Sequence, residues 1–205
     1  MISTYTSKLK QLQIGDLIAK IPIIQGGMGV GISRSHLAGA VAKEGGVGII
    51  STAQIGYDEE GFENDQAGCN LKAIKKHIRK AKELACGNGL VGVNIMVALK
   101  HYKEHVQAAV AAGADVIISG AGLPMNLPEF VSRTCRTKIA PIVSSKRATQ
   151  LILKMWAHRY DRTADFIVVE GPKAGGHLGF SREQLAELEA DTTDTAHPFP
   201  KEAYE

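Results

Sequence analysis

The chain has 205 residues, of which 44% are hydrophobic and 22% are charged, and its formal net charge is +3. This composition is typical of one globular domain with a sizeable core and excludes an intrinsically disordered chain. The small net charge gives no reason to expect a nucleic-acid or membrane partner, and no apolar run approaches the length that spans a bilayer.

Six short apolar runs, most of which end at or near glycine, asparagine or serine, are predicted to be strands. They lie at residues 21–25, 47–51, 90–97, 116–119, 139–143 and 166–169. Helical spacing predicts helices between them at about 33–44, 71–85, 101–112, 127–135 and 146–155, and a last one after Ser181, while residues 57–69 are expected to form a loop. Ser33 or Ser35 is expected to cap the first helix, Ser145 the fifth and Ser181 the last.

The first predicted strand leads into the turn Gly26-Gly27-Met28-Gly29. This turn does not match G-x-G-x-x-G, and no strand with an acidic end follows at the distance that a Rossmann fold requires. The alternation of strands and helices instead predicts a parallel α/β sheet with right-handed crossovers. The expected fold is a TIM-type (β/α)8 barrel with only about six βα units present. Residues 1–190 are expected to form this partial barrel, and residues 191–205 an irregular tail.

Several residues outside the strands are predicted to be exposed to solvent or to pack in the core, without a functional role. The second predicted helix carries basic residues on its outer face without interleaved aromatic residues, which favours a solvated face over a nucleic-acid site. Trp156 is expected to pack the fifth helix against the sheet. Five histidines fall on predicted helix faces, where they are expected to be exposed and without a role: His36, His77, His101, His105 and His158.

The three cysteines, Cys69, Cys86 and Cys135, are odd in number and lack C-x-x-C spacing. They indicate neither a disulfide framework nor a zinc site, and free thiols in a reducing compartment are the expectation. The first 13 residues contain no apolar segment of the signal-peptide kind. These features together predict a cytoplasmic protein without a metal.

The stretch from Asp165 to Phe180 is the richest in candidate chemistry. A buried strand at 166–169 is followed by Glu170 and by a glycine-rich loop around His177. A histidine at the carboxyl end of a parallel strand lies where α/β folds keep their catalytic groups. On these residues alone, the other interpretation, a glycine-rich turn with an exposed histidine of no function, stays open.

Five motifs, in the same order along the chain, resemble the nitronate monooxygenases, formerly called 2-nitropropane dioxygenases. They are PIIQGGMG (22–29), GGVGII (45–50), GVNIMV (92–97), GAG (120–122) and EGPKAGGHLG (170–179), and the resemblance covers residues 21 to about 188. The flavin-dependent enoyl-ACP reductases share the barrel and a similar Gly-Gly-His loop, so they remain an alternative. A truncated barrel without activity is a second alternative.

The resemblance implies FMN as the cofactor and oxidation of alkyl nitronates or nitroalkanes by O2 to carbonyl compounds and nitrite. By position in the motifs, the implied cofactor contacts are Gln25, Gly26, Gly27, Met28, Asn94, Glu170, Gly175 and Gly176. His177 matches the family histidine, which would remove the α-proton of a nitroalkane or bind the nitronate. Glu170 stands where the family often has glutamine, which leaves its polar contact with the flavin in doubt.

The resemblance also marks a departure from the family. Two further strands, whose loops hold the FMN phosphate in relatives, are not predicted after Leu188. The barrel is therefore expected to be C-terminally truncated, to bind FMN weakly, and to self-associate through its two open sheet edges.

Overall fold

The structure, a computed structural model, describes residues 9–191, and side chains through residue 186. Its strands are β1 (Leu12–Ile14), β2 (Leu17–Ala19), β3 (Ile24–Gln25), β4 (Val47–Ser51), β5 (Leu90–Met96), β6 (Val116–Gly120), β7 (Lys138–Val143) and β8 (Val168–Val169). Its helices are α1 (Ser35–Lys43), α2 (Gln66–Ala85), α3 (Tyr102–Ala111), α4 (Leu127–Phe130), α5 (Lys146–Tyr160) and α6 (Arg182–Asp191).

Strands β3 to β8 form one six-stranded parallel sheet whose spatial order is the order of the chain. The helices α1, α2, α3, α4 and α5 lie in the crossovers, so the predicted α/β architecture with six βα units is confirmed. Within residues 9–191 the sheet is curled but open, with β3 and β8 at its two edges.

Both edge strands are shorter than the sequence predicts. The N–H of Ile23 donates to the carbonyl of Ile21 across Pro22, at 2.8 Å, so the chain turns before it joins the sheet. The first strand therefore begins at Ile24, not at residue 21. At the other edge only Val168 and Val169 pair with β7 in register.

The central strands separate two apolar clusters, because side chains alternate between the faces of a strand. On β4, Ile50 belongs to the larger cluster between the sheet and the helices, whereas Val47 and Ile49 belong to the smaller one on the other face. Trp156 is fully buried in the larger cluster, and its Nε1 donates to the carbonyl of Pro124 at 3.1 Å. The predicted packing of α5 by Trp156 is thus confirmed.

An antiparallel hairpin, β1–β2, precedes the sheet and was not predicted from the sequence. Its two-residue turn has Gly15 at φ +61°, and a positive φ at the first central position of such a turn favours glycine. Ile14 and Leu17 are almost completely buried in the smaller cluster with Val47 and Leu90, the first residues of β4 and β5. The hairpin therefore covers the amino ends of the strands and leaves their carboxyl ends as the accessible end.

The helix caps were predicted correctly at two of three sites. Ser145 accepts a hydrogen bond from the N–H of Ala148, at 3.2 Å. Ser181 accepts one from Gln184, whose side chain accepts from the Ser181 N–H in return. The prediction for α1 is wrong, since its N-cap is Arg34 and no side chain caps it.

Two further helix boundaries differ from the prediction for local reasons. Helix α2 begins at Gln66, inside the predicted loop, because the Asp65 carboxylate accepts from the N–H of Gly68 and caps it. Helix α4 ends at Phe130, where Val131 takes an extended conformation, and not at residue 135.

Two of the histidines expected to be exposed are buried, so that prediction is wrong for His77 and His105. His77, on α2, lies against α1, and its Nδ1 is 3.0 Å from the Ser35 hydroxyl. His105, on α3, is 3% exposed, and its Nδ1 has no hydrogen-bond partner within the described residues. Burial lowers the pKa of His105 to about 4, with a smaller contribution from His101.

The buried His105 predicts a specific loss of stability in acid. Between pH 6.5 and about 4 the unfolded chain binds a proton at this position that the folded chain does not. The free energy of unfolding should therefore fall as the pH falls through that window, by up to about 1.4 kcal/mol per pH unit for one such group. Urea unfolding at a series of pH values should show a shallower slope for His105→Leu than for the wild type. The exposed His158→Leu should keep the wild-type slope, and equal slopes for wild type and His105→Leu would contradict the assignment.

Candidate functional site at the carboxyl edge of the sheet

The carboxyl ends of the six parallel strands meet along one edge of the sheet, opposite the hairpin. Small and polar residues lie along this edge: Gln25 ends β3, Ser51 ends β4, Asn94 lies near the end of β5, Gly120 ends β6, Ser144 follows β7 and Glu170 follows β8. In parallel α/β folds this edge is where ligands bind. The residues predicted from the sequence therefore fall at the expected end of the fold.

The side chain of Gln25 is engaged with the protein backbone. Its Oε1 accepts from the N–H of Ile49 at 3.1 Å, and its Nε2 donates to the Ser33 hydroxyl at 3.1 Å and to the carbonyl of Gly26. Both amide N–H groups are thus used within the protein. Gln25 holds the following turn in place, and a contact between this residue and a cofactor stays a prediction.

Gly27 packs directly on Asn94. A Cβ at Gly27 would lie 2.8 Å from the Cβ of Asn94, closer than real Cβ atoms come, and 3.3 Å from the Cγ2 of Ile49, which is a tight contact. At the neighbouring Gly26 a Cβ would meet no atom within 4 Å. The glycine at 27 is therefore required by contact with β5, whereas the backbone at 26 borders open space.

Asn94 and Met28 complete this part of the site. The side chain of Asn94 is half-buried, and no hydrogen bond to its amide is formed by the residues that the structure describes. Met28, which follows Gly27 in the turn, is 62% exposed. An unpaired amide and an exposed apolar side chain at this end of the sheet suit a ligand with both polar and apolar parts.

The glycine-rich loop after β8 is closed by a pair of hydrogen bonds to one residue. The Glu170 carboxylate accepts from the N–H of Gly179 at 3.0 Å, and the Ser144 hydroxyl donates to the carbonyl of Gly179 at 2.7 Å. Glu170 thus has a hydrogen-bond partner within the protein, and its contact with a cofactor stays a prediction. Ser144 was not among the residues predicted from the sequence for this site.

His177 lies within this closed loop. It is exposed, as are Gly175 and Gly176, and Gly176 has φ +86°, a conformation that favours glycine. Across the described part of the chain, no hydrogen bond joins His177 to another residue or to the group around Gln25 and Asn94. The structure thus brings the predicted residues together in two groups on one edge of the sheet.

Ion pairs hold the loop between β4 and α2 in place, beside the group around Gln25 and Asn94. Arg34 makes a bidentate contact with Asp58, at 2.7 and 2.8 Å from Nη1, and its guanidinium lies 5.0 Å from the ring of Tyr57. Hydrogen bonding to Arg34 lowers the pKa of Asp58. Glu59 binds both Lys76 and Lys72, so part of the basic face of α2 is used within the protein.

Two negative findings apply to residues 9–191. No group of three or more histidine, cysteine, aspartate or glutamate side chains there could hold a metal ion. None of the helices in that range has the length and apolarity needed to cross a membrane.

The fold is that of a barrel-type α/β protein, a class in which ligands bind at the carboxyl ends of the strands. The nitronate monooxygenase family matches residues 11–200, and the chain belongs to that family. The resemblance of its motifs to these proteins is therefore confirmed. Comparison with curated proteins found no match.

Solved structures support the same fold. The FabK M276A mutant from Thermotoga maritima is 25% identical to the chain and superposes with a TM-score of 0.61 over 77% of the chain and 45% of that structure. FabK itself, from the same organism, is 25% identical, with a TM-score of 0.58 over 78% and 43%. A nitroalkane oxidase from Streptomyces ansochromogenes is 17% identical, with a TM-score of 0.59 over 87% and 56%, and this likeness shows the fold alone. The chain thus spans about half the length of these structures.

The different surroundings of Gly26 and Gly27 predict different tolerance to a methyl group. Gly27→Ala should lower the melting temperature, because its Cβ would displace Asn94 or Ile49, and a volume conflict in a packed region costs typically 1–3 kcal/mol. Gly26→Ala is the matched control and should stay within about 0.5 kcal/mol of the wild type, as surface substitutions do. Thermal unfolding of the three proteins measures this. Equal destabilisation by both substitutions would contradict the contact between Gly27 and Asn94.

Proposed function

We propose that the chain carries the flavin site of an FMN-dependent oxidoreductase that oxidises alkyl nitronates with O2. Membership of the nitronate monooxygenase family is the observation that carries this proposal. The position of the site at the carboxyl edge of a parallel sheet agrees with it. The substrates, nitronates or nitroalkanes, and FMN as the particular flavin are part of the proposal.

The residues at the edge suit a planar, partly polar ring. The backbone at Gly26, Gly175 and Gly176 borders open space, so a flat group can approach it closely. The Asn94 amide, which has no partner among residues 9–191, can bond to a polar ring edge, and Met28 can pack on an apolar part. FMN would supply the electron-transfer chemistry that no side chain provides.

The chain's own contribution to turnover would centre on His177. A neutral imidazole could accept the α-proton of a neutral nitroalkane, and a charged one could bind an anionic nitronate. Glu170 and Ser144 fix the end of its loop at Gly179 and so limit where the imidazole can move. We propose His177 as the catalytic residue on this basis.

Nitrite release tests the proposed function. With saturating FMN, air and propyl nitronate or nitroethane, the chain should release nitrite, and the rate should depend on added FMN. His177→Ala should slow nitroethane oxidation by about 10²–10⁴-fold, the usual cost of losing a positioned general base. His158→Ala, an exposed histidine on α5, should have no effect.

Two outcomes would contradict this proposal in different ways. Equal rates for His177→Ala and the wild type would remove the role of the histidine. NADH oxidation with a crotonyl thioester, without nitrite release, would favour the enoyl-ACP reductase alternative. Equilibrium dialysis with FMN measures the affinity of the chain for the cofactor.

We also propose that copies of the chain associate through the sheet edges. Ile23 beside β3 is 56% exposed and Val169 on β8 is 61% exposed, and within residues 9–191 each edge strand pairs on one side only. Such edges favour pairing between chains. Size-exclusion chromatography with light scattering should show an oligomer, and Val169→Lys should shift it toward the monomer. A monomer for the wild type at tens of micromolar would contradict this proposal.

A further inference from the structure

We propose that Ser33 is the positioning residue that sets the shape of the turn Gly26–Gly29 for the flavin. The inference rests on the proposed function, and it assigns a role to a residue that neither the motifs nor the helix capping explained. Ser33 is 1% exposed and lies between the turn and α1.

The hydroxyl of Ser33 makes all the hydrogen bonds that it can, and all its partners belong to Gln25 and to the turn that follows it. It accepts from the N–H of Met28 at 2.9 Å and from Nε2 of Gln25 at 3.1 Å, and it is 3.4 Å from the carbonyl of Gly26, to which it donates. A hydroxyl offers one donor and two acceptor positions. All three are directed at residues 25, 26 and 28.

The backbone of Ser33 is fixed as well. Its N–H donates to the carbonyl of Met28 at 2.9 Å, and its carbonyl accepts from the N–H of Ser51, the last residue of β4, at 3.0 Å. Ser33 therefore joins the turn to the end of the neighbouring strand. At Gly26 the turn borders open space. Its shape therefore depends on the contacts with Ser33, on the side that faces the protein.

The connection to ligand binding follows from this arrangement. The backbone of residues 26–28 is the part of the site predicted to lie along the flavin ring. A turn that is already held in one conformation loses less entropy when the ring binds. Without the hydroxyl, the N–H of Met28 and the Gln25 amide lose a partner, and the turn is free to sample other conformations.

Ser35 gives a matched control, because it is also a buried serine, 3% exposed, only two residues away. Its hydroxyl contacts Nδ1 of His77 on α2 and has no contact with the turn in the described residues. Ser33→Ala and Ser35→Ala thus delete the same group from the same region. Only the first should affect the flavin.

The experiment uses the full chain and FMN. Ser33→Ala should raise the dissociation constant for FMN at least tenfold by equilibrium dialysis and should change the visible circular dichroism of the bound flavin, which reports the ring's surroundings. Ser35→Ala should stay within threefold, with the wild-type spectrum. In the protein without FMN, the amide proton of Met28 should exchange faster in Ser33→Ala than in Ser35→Ala.

The outcomes separate this inference from the function itself. A wild-type chain that binds no flavin contradicts the proposed function, and the role of Ser33 toward flavin falls with it. Flavin binding by the wild type, together with an unchanged affinity and spectrum in Ser33→Ala, contradicts the role of Ser33 alone. If Ser33→Ala does not fold, Ser33→Cys, which keeps the volume and weakens the hydrogen bonds, is measured in the same way.

Discussion

The attachment of β3 to the rest of the sheet depends on one side chain. β3 has two residues, so the backbone ladder to β4 is short, and the N–H of Ile49 is bound by the Gln25 side chain where the strand has already ended. After Gln25 the backbone leaves the sheet and enters the turn, and the side-chain amide of Gln25 forms the next hydrogen bond to β4 in its place. Because the same amide donates to Ser33 and Gly26, the fit of the edge strand and the shape of the turn are set together.

The amino end of the sheet is apolar and covered, whereas its carboxyl end is polar and open. This difference determines which end could bind a ligand. At the amino end, the hairpin residues Ile14 and Leu17 fill the apolar surface of the curled sheet. At the carboxyl end the same face carries Ser51 and Asn94, and no comparable apolar cover is present within residues 9–191. Polar groups that cannot be buried without partners collect where a ligand can supply those partners.

The order of elements could be predicted because it depends on local signals. Buried parallel strands are continuous apolar runs, and glycines mark where they end, so the six strands and their sequence order followed from composition and spacing. The hairpin was missed because its strands have three residues each, although Gly15-Asp16 between two short apolar segments was a signal for it.

The details of the site depend on contacts between residues distant in sequence. Nothing near Ser33 shows that its hydroxyl faces the turn rather than α1, since a serine before a helix usually caps it. His77 and His105 were expected at the surface, but both are buried, and His77 packs against Ser35 of the neighbouring helix α1. The partner of Glu170 is Gly179, nine positions away, and only the closed loop reveals why a carboxylate serves there.

The closure of the loop at Gly179 has a consequence for how such a site can diversify. Because both backbone groups of this glycine are bound to the sheet end, the eight residues from 171 to 178 form a segment whose two ends are fixed by the scaffold. The scaffold is insensitive to what lies between such anchors, and loop-closure entropy changes only slowly with length. Substitutions or insertions there would therefore alter what the imidazole of His177 meets without disturbing the sheet. The fold thereby separates a scaffold whose contacts must be kept from a surface loop whose sequence can vary.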